Sequence, residues 1–245
     1  MRLFASCIYK GTKYYGWQKQ PNVNTIEEEI EKALSKFFGN QEINIYGAGR
    51  TDAGVHAFGQ KFHFDIEDRE IDLNRLLYSV NQMLPPDIKI EDIEEVDPDF
   101  HARYSAKNKC YTYTILTQSK DPFLYDTAYL HPEKIDLDKL REVLNYFVGE
   151  HNFKNFTSKE EDDANFVRNI YSIDVDTHGD LIYITLVGNG FMRYMIRMIV
   201  GMAIHICDKD LDPEIVLDML DNDSPREICA YKAPANGLTL VNVHY

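Results

Sequence analysis

Apolar positions along this chain switch repeatedly between a two-residue and a 3.6-residue period. Residues 2–9 are rich in β-branched and aromatic side chains and read as a strand. Over residues 25–38, Ile26, Ile30, Ala33, Leu34 and Phe37 recur at helical spacing. Asn24 is the expected N-cap, with Glu27 completing a capping box and Gly39 stopping the helix. A short strand over 43–46, a strand over 58–64, a helix over 73–83 halted by Pro85 and Pro86, and a strand over 88–96 follow. Beyond residue 105 the pattern is similar. Residues 109–116 place Tyr111, Tyr113 and Ile115 on one face of a strand, and residues 137–148 form a helix capped by Asp136 and ended by Gly149. Strands over 167–176 and 181–187 meet at His178-Gly179-Asp180, a hairpin-like turn. An apolar helix over 191–207, opened by Gly188 and Gly190, precedes a short helix from Pro213 and a last strand over 238–244.

Each half therefore reads β-α-β-β-α-β, the ferredoxin-like order. The expected fold class is α+β: two ferredoxin-like halves, residues 1–105 and 106–245, sharing an extended, mostly antiparallel sheet. Helices would cover its outer face, and the site would lie in the cleft where the halves meet. Residues 118–132 read as a long connection without an element of their own.

Composition narrows the classes. The chain has 245 residues, 44% of them hydrophobic, enough for a sizeable core. No basic, apolar leader follows Met1, so no signal peptide is expected, and the apolar run over 198–207 is too short to span a bilayer. Cys7, Cys110, Cys207 and Cys229 are scattered and form no CxxC, which argues for a reducing, cytoplasmic setting. The eight histidines show no metal-ligand spacing, and neither a Walker A loop nor GxGxxG is present. A net charge of −14 argues at first against a nucleic-acid partner. Yet the acids concentrate in residues 61–100, 126–185 and 208–227, leaving the intervening segments locally positive. A polyanion responds to the local field more than to the global sum.

The candidate chemistry centres on GRTDAGVHA, from Gly49 to Ala57. Asp52 sits between Arg50, whose planar fork suits a phosphate or a base, and Gly54, which tolerates positive φ. A nucleophilic or general-base aspartate in a tight turn needs this arrangement, although an Asx-turn in a polar loop uses the same residues. Three further segments are candidates to converge on Asp52. FHARYSAKNKCYTYTI, residues 100–115, sets Tyr111 and Tyr113 behind the basic loop of Arg103 and Lys107, where a tyrosine can stack on a base; ordinary sheet aromatics are the alternative. GNGFMRYMIRMIVG, residues 188–201, carries Arg197 inside an apolar stripe, where a cation seldom lacks a partner. Asp52 is the attractive partner; snorkelling to solvent is the alternative. YKAPANGLTLVNVHY, residues 231–245, reads as a turn delivering a strand that could wall a pocket.

Together these segments resemble the tRNA pseudouridine synthase A family along nearly the whole chain. Tyr9-Lys10-Gly11-Thr12 and Tyr15-Gly16-Trp17-Gln18 resemble its opening motif, and GRTDAGVHA its catalytic loop. FHARYSAKNKCYTY, the Phe147-Val148-Gly149-Glu150-His151-Asn152-Phe153 segment, GFMRYMIRMIVG and APANGL resemble its later motifs, in order. Arg193-Tyr194 stand where many relatives have histidine-like residues. The resemblance implies isomerisation of uridine to pseudouridine in tRNA at positions 38–40 of the anticodon stem-loop. It implies Asp52 as the catalytic residue, Arg50 displacing the target nucleotide, Tyr111 stacking on the uracil and Arg197 pairing with Asp52. It further implies a homodimer, with no cofactor, no metal and no membrane. The competing readings are a non-catalytic RNA-binding protein, with Phe58, Phe62 and Phe64 as an RRM-like stacking surface, and a synthase acting on other tRNA positions.

Overall fold

Residues 1–67, 70–158, 165–221, 223 and 225–245 are described by a computed structural model. The architecture is α+β with mostly antiparallel strands. The chain divides into two compact units, Met1–Lys107 together with Thr239–Tyr245, and Asn108–Leu238.

In the first unit the order is β1 (Arg2–Tyr9), α1 (Ile26–Phe37), β2 (Ile45–Gly47), β3 (His56–Asp65), α2 (Leu73–Asn81) and β4 (Ile88–Val96). β1 is central, antiparallel to β3 and to β4, and β2 lies on the far edge of β3. This is the ferredoxin-like order the periodicity predicts. α1 buries Ile26, Ile30, Ala33 and Leu34 along one stripe, and α2 packs against it through a face that buries Leu76 and Val80. The strands hide both faces. Leu3, Phe62 and Phe64 are fully buried on one side. On the other, Phe4 meets Phe100 and Tyr245 edge-on, at 4.8 and 5.1 Å between ring centroids.

Two expectations fail here. The N-cap of α1 is Thr25, whose Oγ1 accepts the Glu28 amide at 3.4 Å, not Asn24. Glu27 does not close a capping box: its Oε2 accepts the Lys19 amide at 2.6 Å. The stacking surface fails as well, because only Phe58 of the three phenylalanines is exposed while Phe62 and Phe64 are 0% accessible. The alternation of β3 turns those two rings inward.

The second unit runs β5 (Asn108–Thr117), β6 (Tyr129–His131), α3 (Leu137–Asn145), β7 (Gly149–Asn152), β8 (Val167–His178), β9 (Leu181–Gly188), α4 (Met195–Lys209) and α5 (Ile215–Leu220). Its sheet order is β5–β9–β8–β7, with β6 parallel on β5. Tyr111, Tyr113 and Ile115 all face inward, as their alternation predicts. The β8–β9 hairpin turns at Gly179, which takes φ +60°. β6 lies inside the connection read as irregular, and β7 was likewise not predicted. α4 begins at Met195, four residues later than expected. Gly188 opens no helix; a Cβ there would lie 2.9 Å from the Asn169 carbonyl oxygen, so its role is close strand packing. The last strand, β10 (Leu238–His244), pairs in parallel with β3 at Thr239↔His56 and Leu240↔Ala57. That pairing counts it with the first unit, whereas the order of elements assigned it to the second half.

Candidate active site

Asp52 opens a tight turn in the first unit. The Val55 amide donates to the Asp52 carbonyl at 3.2 Å, and Gly54 takes φ +82°, the left-handed region that favours glycine. The turn is held from outside by the segment that follows β1. Trp17 N donates to Thr51 O at 3.1 Å, Gly54 N to Tyr14 O at 3.2 Å, and the Tyr9 hydroxyl shares a 2.8 Å hydrogen bond with Thr51 Oγ1. Gly11 N donates to Nδ1 of buried His56 at 3.0 Å. The approach is too close for side chains. A Cβ at Gly11 would sit 1.9 Å from the Val55 carbonyl oxygen, and one at Gly16 would sit 2.6 Å from that of Thr51.

The bracing segment is itself fixed by α1. Ile26 N donates to Gly16 O and Glu27 N to Trp17 O, so two free amides of the helix start find carbonyls there. Trp17 is 1% exposed, lies beside Tyr9 and Phe62, and presses on Gly47, where a Cβ would be 2.5 Å from its indole nitrogen. The Glu27 carboxyl is raised above its usual range, chiefly by burial, against the opposing effects of the Lys19 amide, the Trp17 indole and the Arg50 charge. Arg50 is exposed at the edge of the turn and Asp52 is half-buried.

Tyr111 and Arg197 stand in the second unit. Tyr111, on β5, is 7% exposed and meets the edge of Phe191 at 5.4 Å between centroids. Arg197, in the first turn of α4, is half-buried, and its Nε donates to the Ala233 carbonyl at 2.8 Å. The Ala233 amide returns a bond to Arg197 O at 2.9 Å. The closing segment can come this close because Gly201 lacks a side chain: a Cβ there would be 2.8 Å from Ala233 N. Tyr113 donates its hydroxyl to Pro234 O at 2.8 Å and packs on Gly237. Burial pushes its ionisation up, against the nearby Arg197 charge.

The structure thus brings Arg50 and Asp52 together in one turn, and it places Tyr111 and Arg197 in the second unit, on β5 and α4. Several residues escaped the sequence reading as parts of the site. Gly11, Gly16 and Trp17 were recognised only as motif matches, and Tyr14 not at all, though two glycines within an aromatic run signal a close backbone approach. Lys232 and Ala233 were read only as part of the 231–245 segment that could wall a pocket, with no individual role. No group of three or more His, Cys, Asp or Glu residues able to hold a metal occurs among the described residues, and no described helix is long and apolar enough to cross a membrane.

Comparison with known proteins points to one family. The profile of a family described as tRNA pseudouridine synthase matches residues 5–105 and 143–245. The tRNA pseudouridine synthase A of Geobacillus sp. (strain WCH70) is 36% identical over 245 residues, covering 100% of this chain and 98% of that protein. That of Exiguobacterium sp. (strain ATCC BAA-1283 / AT1b) is 39% identical over 237 residues, covering 97% and 95%. That of Caldicellulosiruptor bescii is 37% identical over 238 residues, covering 97% and 96%.

Proposed function

The chain belongs to the tRNA pseudouridine synthase family, and on that premise we propose that it acts on the anticodon stem-loop of tRNA, at positions 38–40. The reaction is the isomerisation of uridine to pseudouridine. The bond from C1′ to N1 breaks, the uracil turns, a bond from C1′ to C5 forms, and the hydrogen of C5 is lost while N1 gains a proton. A uridine inside a stem cannot present that glycosidic bond, so the nucleotide must be flipped out.

Asp52 is the catalytic residue in this reading. Its carboxylate assists by attacking the sugar or the base, or by removing a sugar proton. Arg50, exposed beside it, displaces the target nucleotide and holds its phosphate. Tyr111 stacks on the uracil, and Arg197 pairs with Asp52 to orient it. The enzyme works as a cytoplasmic homodimer without a cofactor. The observation that carries the proposal is the Asp52 turn: four main-chain and side-chain hydrogen bonds from residues 9–17 hold it and its flanks, a rigidity that a solvent loop would not need.

The test is tritium release from C5-labelled tRNA transcripts, with mapping of the product. Wild type releases tritium and places pseudouridine at positions 38–40; Asp52→Asn releases none while melting normally and still binding tRNA. Substantial release by Asp52→Asn would overturn the catalytic assignment, and product elsewhere would overturn the target.

A further inference from the structure

Residues 186–207 and 228–245 carry Arg193, Arg197 and Lys232 and no acidic residue, in a chain of net charge −14. The second unit gathers these three cations on one ring. Lys232 Nζ lies 4.2 Å from the centroid of Tyr194, the Arg193 guanidinium carbon 4.8 Å and that of Arg197 5.5 Å. Arg193 also donates to the Tyr194 hydroxyl at 2.9 Å. Tyr194 itself is held in the left-handed region, at φ +65°, which is costly for a tyrosine and marks a position imposed by its surroundings.

Arg193 and Lys232 are both exposed, and no carboxylate among the described residues pairs with either. Ring contacts with Tyr194 offset only part of the repulsion between the Arg193 and Lys232 charges. Such a cluster is completed by an anion. A guanidinium offers a planar fork and an ammonium a point charge, and both lie within 5 Å of the centroid of the same ring. A phosphodiester fits that chemistry, because it presents two acceptor oxygens and one negative charge and needs no base-specific partner.

We propose that Arg193, Tyr194 and Lys232 form a phosphate clamp for the sugar–phosphate backbone of the RNA substrate. The proposal rests on the reading of the chain as a tRNA pseudouridine synthase. Arg197 adds to the positive field and is left untouched in the test, since it belongs to the proposed catalytic set.

The experiment measures Kd for a tRNA transcript across salt concentrations, for wild type, Arg193→Gln, Lys232→Gln, the double variant and Arg193→Lys. Lys209→Gln, at an exposed lysine flanked by two aspartates, controls for a general loss of charge. Each single glutamine variant should weaken binding about five- to tenfold at low salt. The slope of log affinity against log salt should become shallower by about 0.7–0.9 for each cation removed. Arg193→Lys should keep the wild-type slope, which separates lost charge from damaged folding, and Lys209→Gln should match wild type. A double variant with wild-type Kd and slope overturns the clamp, as does a change equalled by Lys209→Gln. Tritium release by the same wild-type preparation separates the two levels. Wild type that neither binds tRNA nor releases tritium overturns the functional reading itself, whereas active wild type beside an unaltered double variant overturns only the clamp.

Discussion

The Asp52 turn and the Tyr111–Arg197 region divide their positioning differently between main chain and side chains. The turn is positioned by main-chain hydrogen bonds and by glycines that let two backbones touch. The second region has one such main-chain bond and close approach, Ala233 to Arg197 beside Gly201, and adds side-chain ties: a tyrosine hydroxyl on Pro234, a guanidinium on Ala233 and rings against rings. The lesson concerns tolerance. The first region should fail chiefly when an atom is added at a glycine, and the second also when a polar or charged atom is taken away.

The largest effect expected of that contrast is at Gly11. Gly11→Ala puts a methyl into the Val55 carbonyl, and neither backbone can yield without moving the Asp52 turn. We expect a loss of about 3 kcal/mol or more and of most activity. Gly39→Ala, at φ +73° with nothing within 4 Å of the new atom, is the matched control. It should cost about 1 kcal/mol and leave turnover intact. Thermal melting and tritium release on both variants check the contrast, and equal costs would break it.

A second contrast is one of pH. His63 is 1% exposed and accepts the Ala102 amide on Nδ1 at 3.2 Å. Burial, then the Arg2 and His101 charges, lower its pKa to about 4. The unfolded chain takes up that proton near pH 6.5, the folded chain only near 4, so acid favours unfolding between them. The contribution is whole above pH 6.5 and lost as pH falls to about 4. Urea midpoints across that range should fall less steeply for His63→Gln than for wild type. Parallel slopes would show that His63 titrates normally.

Smaller effects sharpen the picture. Tyr113→Phe leaves the Pro234 carbonyl without its donor and should cost about 1–2 kcal/mol by chemical denaturation. Thr25→Ala removes the cap of α1 and should cost about 1 kcal/mol, with Asn24→Ala close to neutral. The reverse order would restore Asn24 as the cap.

How much of this was legible follows from the range of each signal. The stripe of Ile26, Ile30, Ala33 and Leu34 and the alternation of Tyr111, Tyr113 and Ile115 are local, and both elements formed where read. Thr25 and Asn24 are equally good caps by type, and the choice between them is made by Gly16 and Trp17, which receive the first helical amides. β6 exists because Tyr129–His131 finds the edge of β5, a partner more than ten residues away in sequence, and nothing in its own three residues announces it. The site shows the same division. Arg50 and Asp52 are contiguous and were read directly, whereas the tie of Arg197 to Ala233 spans 36 positions. The cluster on Tyr194 was visible only as a departure from the family pattern at Arg193-Tyr194.

The bond from the Trp17 amide to Thr51 joins the Asp52 turn to the start of α1 through a single dipeptide. The turn therefore cannot open by itself; it opens when the helix opens, as part of one cooperative unit. Amide exchange at Trp17, Glu27 and Gly54 should accordingly be slow and should speed up together. In the proposed mechanism the Asp52 carboxylate thus sits on a stiff mount, and the work of deformation falls on the nucleic acid.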